Sequence, residues 1–136
     1  MPHAHDDERA AAILDRKAEG LLALDEALAE LADSDCVVTL AKFIAERTGL
    51  ALDFVSRALD APSDETSSVI CRIAGFKMNS YSALLRMRRR HNRGTDSAPT
   101  DALMLFAELS PVAAKQMLAR LVPGFGHRRP QIRRVR

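Results

Sequence analysis

The chain reads as an all-α protein, a compact stack of helical hairpins with about six or seven helices in HEAT-like or helical-bundle packing. Three observations predict this. Aromatic residues are only 4% of the chain, with no Trp and one Tyr, so the core must come from Leu, Ala, Ile, Val and Met. Those residues favour helices, whereas strands draw on β-branched and aromatic side chains. The strong apolar patterns recur at three- and four-residue spacing, and the punctuation is that of helices, with Ser, Thr, Asp or Asn ahead of apolar runs and Gly or Pro behind them. At 136 residues the chain suits one domain, expected over 1–124, with 125–136 as a flexible basic tail.

Taken in order, Asp6-Asp7-Glu8 places acid where the dipole of a first helix favours it. That helix is predicted to reach about Ala32, with Leu21, Leu24, Leu28 and Leu31 as its apolar seam and Gly20 as a point of bending or splitting. The seam persists for under two heptads, too short for a coiled coil. Ser34 or Asp35 can cap a second helix from Cys36 to Arg47, which stops at Gly49. A third runs from about Leu52 to Leu59, and Pro62 ends it. Ser63 caps a fourth, which stops at Gly75, and Asn79 caps a fifth, Ser80 to His91. The stretch Asn92 to Pro99 is a loop. Thr100 caps a sixth helix ending near Leu109, and Ser110-Pro111 opens a seventh that Pro123-Gly124 closes.

A weak internal echo recurs at an offset of 26 residues. Phe43, Ile44, Ala45, Gly49, Leu50, Leu52, Asp53 and Leu59 align with Val69, Ile70, Cys71, Gly75, Phe76, Met78, Asn79 and Leu85. Each copy reads as helix, Gly stop, apolar anchor, Asp or Asn near the next helix start, helix. An αα-hairpin of this kind cannot bury its apolar face alone and so stacks on a neighbour.

Charge is divided end from end. Residues 1–68 hold 15 acids against 6 Lys/Arg, a net of −9, and residues 69–136 hold 3 acids against 14 Lys/Arg, a net of +11. Such a split implies an anionic partner at one end or pairing of the halves, within a chain or between chains. The two cysteines, Cys36 and Cys71, are too few for a disulfide framework, and a cytoplasmic setting is expected. No apolar run approaches the ~18 residues of a membrane span, and the polar, acidic start does not have the form of a signal peptide.

Two stretches suggest binding. Thr39 to Asp60 looks like a helix-turn-helix, with Gly49 at the turn and Leu50 and Val55 locking one helix on the other. Asp53, Phe54, Ser56 and Arg57 would then lie at the groove-facing surface. Against DNA reading here, residues 37–68 carry 3 Lys/Arg and 5 Asp/Glu, whereas phosphate contacts need positive charge. The second stretch is Arg86-Met87-Arg88-Arg89-Arg90-His91-Asn92-Arg93. Cations suit a helix C-terminus, but this run exceeds that need. Arg86, Arg89, Arg90 and Arg93 share a face by spacing, and with Arg88 they form the candidate anion or partner site, extended by Arg128, Arg129, Arg133 and Arg134 of the tail.

Catalytic chemistry finds no foothold. There is no Gly-rich phosphate loop, nucleophile elbow or paired-carboxylate pattern, and no His is placed by sequence to activate either Cys. His3 and His5 near Asp6 and Asp7 sit in an exposed terminus, where ligands are not fixed by a fold. No cofactor or metal is expected.

Three ordered segments carry a family resemblance: Phe43 to Leu50 with Val55 and Leu59; Ile70 to Phe76 with Tyr81 to Arg88; and Phe106 to Pro111 with Ala114 and Leu118. Over about residues 31–122 the chain resembles an alphaproteobacterial domain family of unknown function, numbered 2336. The resemblance implies an all-α, repeat-like domain with no agreed activity and no catalytic residues to transfer.

The function expected is therefore a non-enzymatic helical protein-interaction module, regulatory or adaptor in kind. Its expected partner is another protein, with nucleic acid reachable through the basic half and a homodimer through the first helix. The alternative is a DNA-binding regulator using the helix-turn-helix at 39–60, its tail on phosphates.

Overall fold

The computed structural model describes residues 2–93 and 98–122, with the backbone alone for residues 2–7. The expected tail at 125–136, with Arg128, Arg129, Arg133 and Arg134, lies outside the described residues. Within them the protein is all-helical: α1 (Pro2–Ala18), α2 (Leu24–Asp33), α3 (Val37–Thr48), α4 (Leu52–Asp60), α5 (Glu65–Ala74), α6 (Met78–Arg90), α7 (Pro99–Glu108) and α8 (Pro111–Leu121).

There is one helix more than the upper expectation because Gly20 splits the first. It adopts φ +81°, a left-handed conformation that ends α1. The leucine seam divides accordingly. Leu28 and Leu31 are fully buried, Leu24 is half-buried, and Leu21 points to solvent. Gly49 and Gly75 end α3 and α5 at φ +77° and +95°, and the residue after each, Leu50 or Phe76, drops into the core. Both helix–Gly–helix units of the echo are thus present.

Starting residues follow the sequence less closely. Ser110 caps α8 as expected, its hydroxyl accepting from the Ala113 amide at 3.0 Å, with Pro111 at the first helical position. Ser63 accepts from the Glu65 amide at 3.1 Å. Asn79 and Thr100, by contrast, lie inside helices that begin after Lys77 and Ala98, and Asp35 sits at φ 61° in the turn before α3. The start of α6 is closed from a distance. The Lys77 amide donates to the Asp25 carboxylate of α2 at 3.2 Å, and the Ser80 hydroxyl also donates to Asp25.

The packing joins distant parts of the chain. α3 and α4 form a hairpin, but α6 turns away from α5 to lie along α2, the most extensive pairing among the described helices. α5 runs through the middle with α3, α4, α7 and α8 around it, and α7 also closes on α6. Leu28, Leu31, Leu40, Ile44, Ile70, Leu84, Phe106 and Leu118 share one apolar cluster. Phe106 of α7 stacks on Tyr81 with ring centres 4.2 Å apart, and the Arg72 guanidinium lies 4.0 Å from the Phe106 ring centre. No helix among the described residues is long and apolar enough to cross a membrane; α7 and α8 pass such a test only as a pair, and they are bent at 106°.

Candidate functional site

The arginine run occupies the last turns of α6 and the turn behind it, where α2, α4 and α5 converge. These elements bring four carboxylates to it: Asp33 ends α2, Asp35 follows it, Asp60 ends α4, and Asp64 precedes α5.

Arg88 departs furthest from the expectation. Its side chain is fully buried, so it is no surface ligand. Its Nε and Nη2 donate to Asp64 Oδ1 at 3.2 and 3.0 Å, and Nη1 donates to the carbonyls of Leu59 and Ala58 at 2.7 and 3.3 Å. Nη2 also serves the carbonyls of Ala61 and Ser63, both at 3.0 Å. One guanidinium thereby satisfies the open carbonyls at the end of α4 and the carboxylate ahead of α5. A charge is tolerated in the interior only with such complete pairing.

The neighbours are spent in the same way, nearer the surface. Arg86 forms a fork on Asp33, with Nη2 3.1 and 3.2 Å from its two oxygens. Arg89 Nη2 reaches Asp64 Oδ2 at 3.3 Å. Arg90 donates to the Ala32 carbonyl at 2.7 Å and to Asp35 at 3.1 Å, and His91 Nε2 meets the other Asp35 oxygen at 3.1 Å. Arg93 is held most loosely, its Nε standing 3.8 Å from Asp60. All five arginines thus face acids contributed by residues 33–64. Two further cations bind backbone: Arg47 Nε donates to the Ala74 carbonyl at 2.6 Å, and Arg72 Nη2 to that of Phe106 at 2.8 Å.

The helix-turn-helix candidates lie together on α4. Asp53 and Arg57 are exposed and face each other at 3.3 Å across one helical turn, so the surface they form is close to neutral. Ser56 is half-buried beside a groove of about 220 Å³ lined by Val37, Val38, Ala41, Leu52 and Asp60. Cys71 is wholly buried, and burial pushes its thiol well above the ordinary range despite the opposing Arg88 charge. Burial likewise raises the Tyr81 phenol, against a hydrogen bond with Ser68 that favours ionisation. Among the described residues, no group of three or more His, Cys, Asp or Glu could hold a metal ion.

The partners missed from the sequence are the carboxylates. Asp33, Asp35, Asp60 and Asp64 carry no motif of their own, and the only signal for them is the charge split between the halves. Comparison with known proteins adds no relative: no family model, no curated protein and no solved structure matches the chain.

Proposed function

We propose that this protein is a non-enzymatic helical interaction module, regulatory or adaptor in kind, that binds another protein through the outer face of α7 and α8. The observation that carries this is a set of large apolar side chains left exposed on α7 and α8, whereas the arginines of α6 are already paired. Met104 and Val112 are 56% and 66% exposed, and Leu105 joins them at 39%. α7 is apolar on nearly every side, a pattern that belongs to a buried helix, yet the core accounts only for Ala102, Leu103 and Phe106. Between Thr100 and Ala119 the charges are Asp101, Glu108 and Lys115 alone, so this corner suits an apolar contact better than a polyanion.

Kinship with family 2336 belongs to this reading. It is supported by the way the three resembling segments fall, on the α3–α4 hairpin, on α5–α6 and on α7–α8. On the same reading the two helix–Gly–helix units descend from one repeat, which closes as a hairpin in α3–α4 and opens in α5–α6, where α6 packs on α2 instead.

The test is capture of partners by the tagged full chain, compared with Met104→Glu/Val112→Glu and with Arg86→Gln. Partners retained by the wild type and by Arg86→Gln, and lost by the double variant at unchanged circular dichroism, support the proposal. Equal capture by all three removes it.

A further inference from the structure

The first helix is attached differently from the others. α1 is the longest of the described helices at 17 residues, yet among its side chains from Glu8 onward only Ala10 and Ile13 are buried, with Leu14 half-buried. α5, at 10 residues, buries Ser67, Ser68, Val69, Ile70, Cys71 and Ala74. α1 packs chiefly on α2, whereas α5 has four helices around it. The remaining ties of α1 are three cations. Arg16 Nη2 pairs with Glu30 of α2 at 2.6 Å, both side chains half-exposed. Arg9 Nη1 donates to the Ser34 carbonyl at 3.0 Å, and Lys17 Nζ stands 5.9 Å from the centre of the Phe43 ring of α3. The connection behind α1 is open: a Cβ on Gly20 would meet no atom within 4 Å, and Leu21 is 67% exposed. Elements with few buried apolar contacts are the first to open.

The anchors of α1 have a recognisable spacing. Ala10, Ile13, Leu14 and Lys17 stand at i, i+3, i+4 and i+7, as in an amphipathic helix seated in the groove of a separate protein. α2 and α3 form the receiving side, where Glu30 and the face of the Phe43 ring each draw a cation from α1. α1 thus meets the rest of the protein as a ligand helix would, joined to it by residues 19–23.

We propose that α1 is a displaceable cover on a helix-binding groove along α2 and α3. The ligand of that groove in trans is an amphipathic helix of α1's own pattern: a small residue, aliphatic residues three and four places on, and cations at six and seven. Acids at the last two places are disfavoured by Glu30 and by the negative face of the Phe43 ring. This groove is separate from the α7–α8 face, so either reading can fail alone.

The probe is a labelled peptide of residues 2–20, titrated by fluorescence anisotropy into the full-length chain and into the same chain carrying Ile13→Asp. The buried charge of that variant expels α1 from the groove. Saturable binding to the Ile13→Asp chain is expected below ~100 μM, and about tenfold weaker or more to the wild type, where α1 competes from within the chain. A peptide carrying Lys17→Glu is expected to bind several-fold more weakly, and one carrying Ile13→Asp not at all. Met104→Glu/Val112→Glu, added to the Ile13→Asp chain, leaves the affinity unchanged. In the wild type, α1 amides exchange with deuterium about tenfold or more faster than those of α6. Loss of cooperative unfolding in the Ile13→Asp chain would make α1 part of the core and overturn the proposal. So would absence of saturable binding, equal binding by both chains, indifference to Lys17→Glu, loss of binding with the α7–α8 substitutions, or protection of α1 equal to that of α6.

Discussion

Arg88 joins α6 to the α4–α5 connection through a single guanidinium, and its loss strands several groups at once. Arg88→Ala leaves the Asp64 carboxylate facing only Arg89 among the described ion pairs, and the carbonyls of Leu59, Ala61 and Ser63 lose a donor. Breaking a buried pair of this kind costs about 3–5 kcal/mol, against at most about 1 kcal/mol for Arg86→Ala, whose pair with Asp33 is half-exposed. Urea unfolding of the two variants measures the difference, and near-equal midpoints would contradict the assignment. The raised Cys71 and Tyr81 groups give a prediction at alkaline pH. The fold holds both protons, while the unfolded chain releases them near pH ~8.5 and ~10, so the stability they contribute is complete below those values. It is lost as pH rises beyond them, and the melting temperature should fall from about pH 8.5 upward. In Cys71→Ala the first part of that fall should flatten. At this scale the sequence showed which side chains are unusual, but not what they touch. Five arginines in one run look like a surface patch until the helices that bury Arg88 and supply the acids are in place.

Helix ends were more legible as stops than as starts. Gly49 and Gly75 were readable because a left-handed residue is nearly always glycine, a local rule that tertiary packing leaves intact. Starts such as that of α6 depend on Asp25, which is distant in sequence and becomes a neighbour only through the α2–α6 pairing. Asn79 and Thr100 therefore marked the right places within a few residues, with the wrong groups doing the capping. The glycines differ in what a side chain would meet. Gly49→Ala faces open space and carries the conformational cost alone, roughly 1–2 kcal/mol. At Gly75 an added Cβ would also stand 3.2 Å from Arg47 Nη2, on the side chain that holds the Ala74 carbonyl. Gly75→Ala should thus lower the urea midpoint further than Gly49→Ala. Ser110→Ala removes the one hydroxyl cap of α8, at a cost of about 1 kcal/mol by the same measurement.

For the molecule as a whole, the division of charge between the halves is met at least in part by internal pairing, one of the two consequences it implied. Asp33–Arg86, Asp35–Arg90, Asp60–Arg93 and Asp64–Arg88 all join an acid from the first half to a cation from the second. The composition foretold attraction between the halves, while the register of that attraction depends on how α2 and α4 cross α6. Pairs near the surface are screened by salt. Raising sodium chloride from ~0.05 to ~0.5 M should therefore lower the melting temperature by a few degrees, about 3–4 °C for each kcal/mol lost in a domain of this size. A melting temperature that rises with salt would show that repulsion, not pairing, governs the charge balance.

The pairing of α2 with α6 also sets an order of events during synthesis. Asp33 leaves the ribosome 53 residues ahead of Arg86, and the acids at 35, 60 and 64 likewise precede their cations. Until α6 has emerged, the nascent chain carries its surplus of acid unanswered, and like charge holds it open. Contacts that span so much sequence close late and slowly. The arginine run of α6 is thus the segment that brings the cations with which the acids of the earlier helices pair.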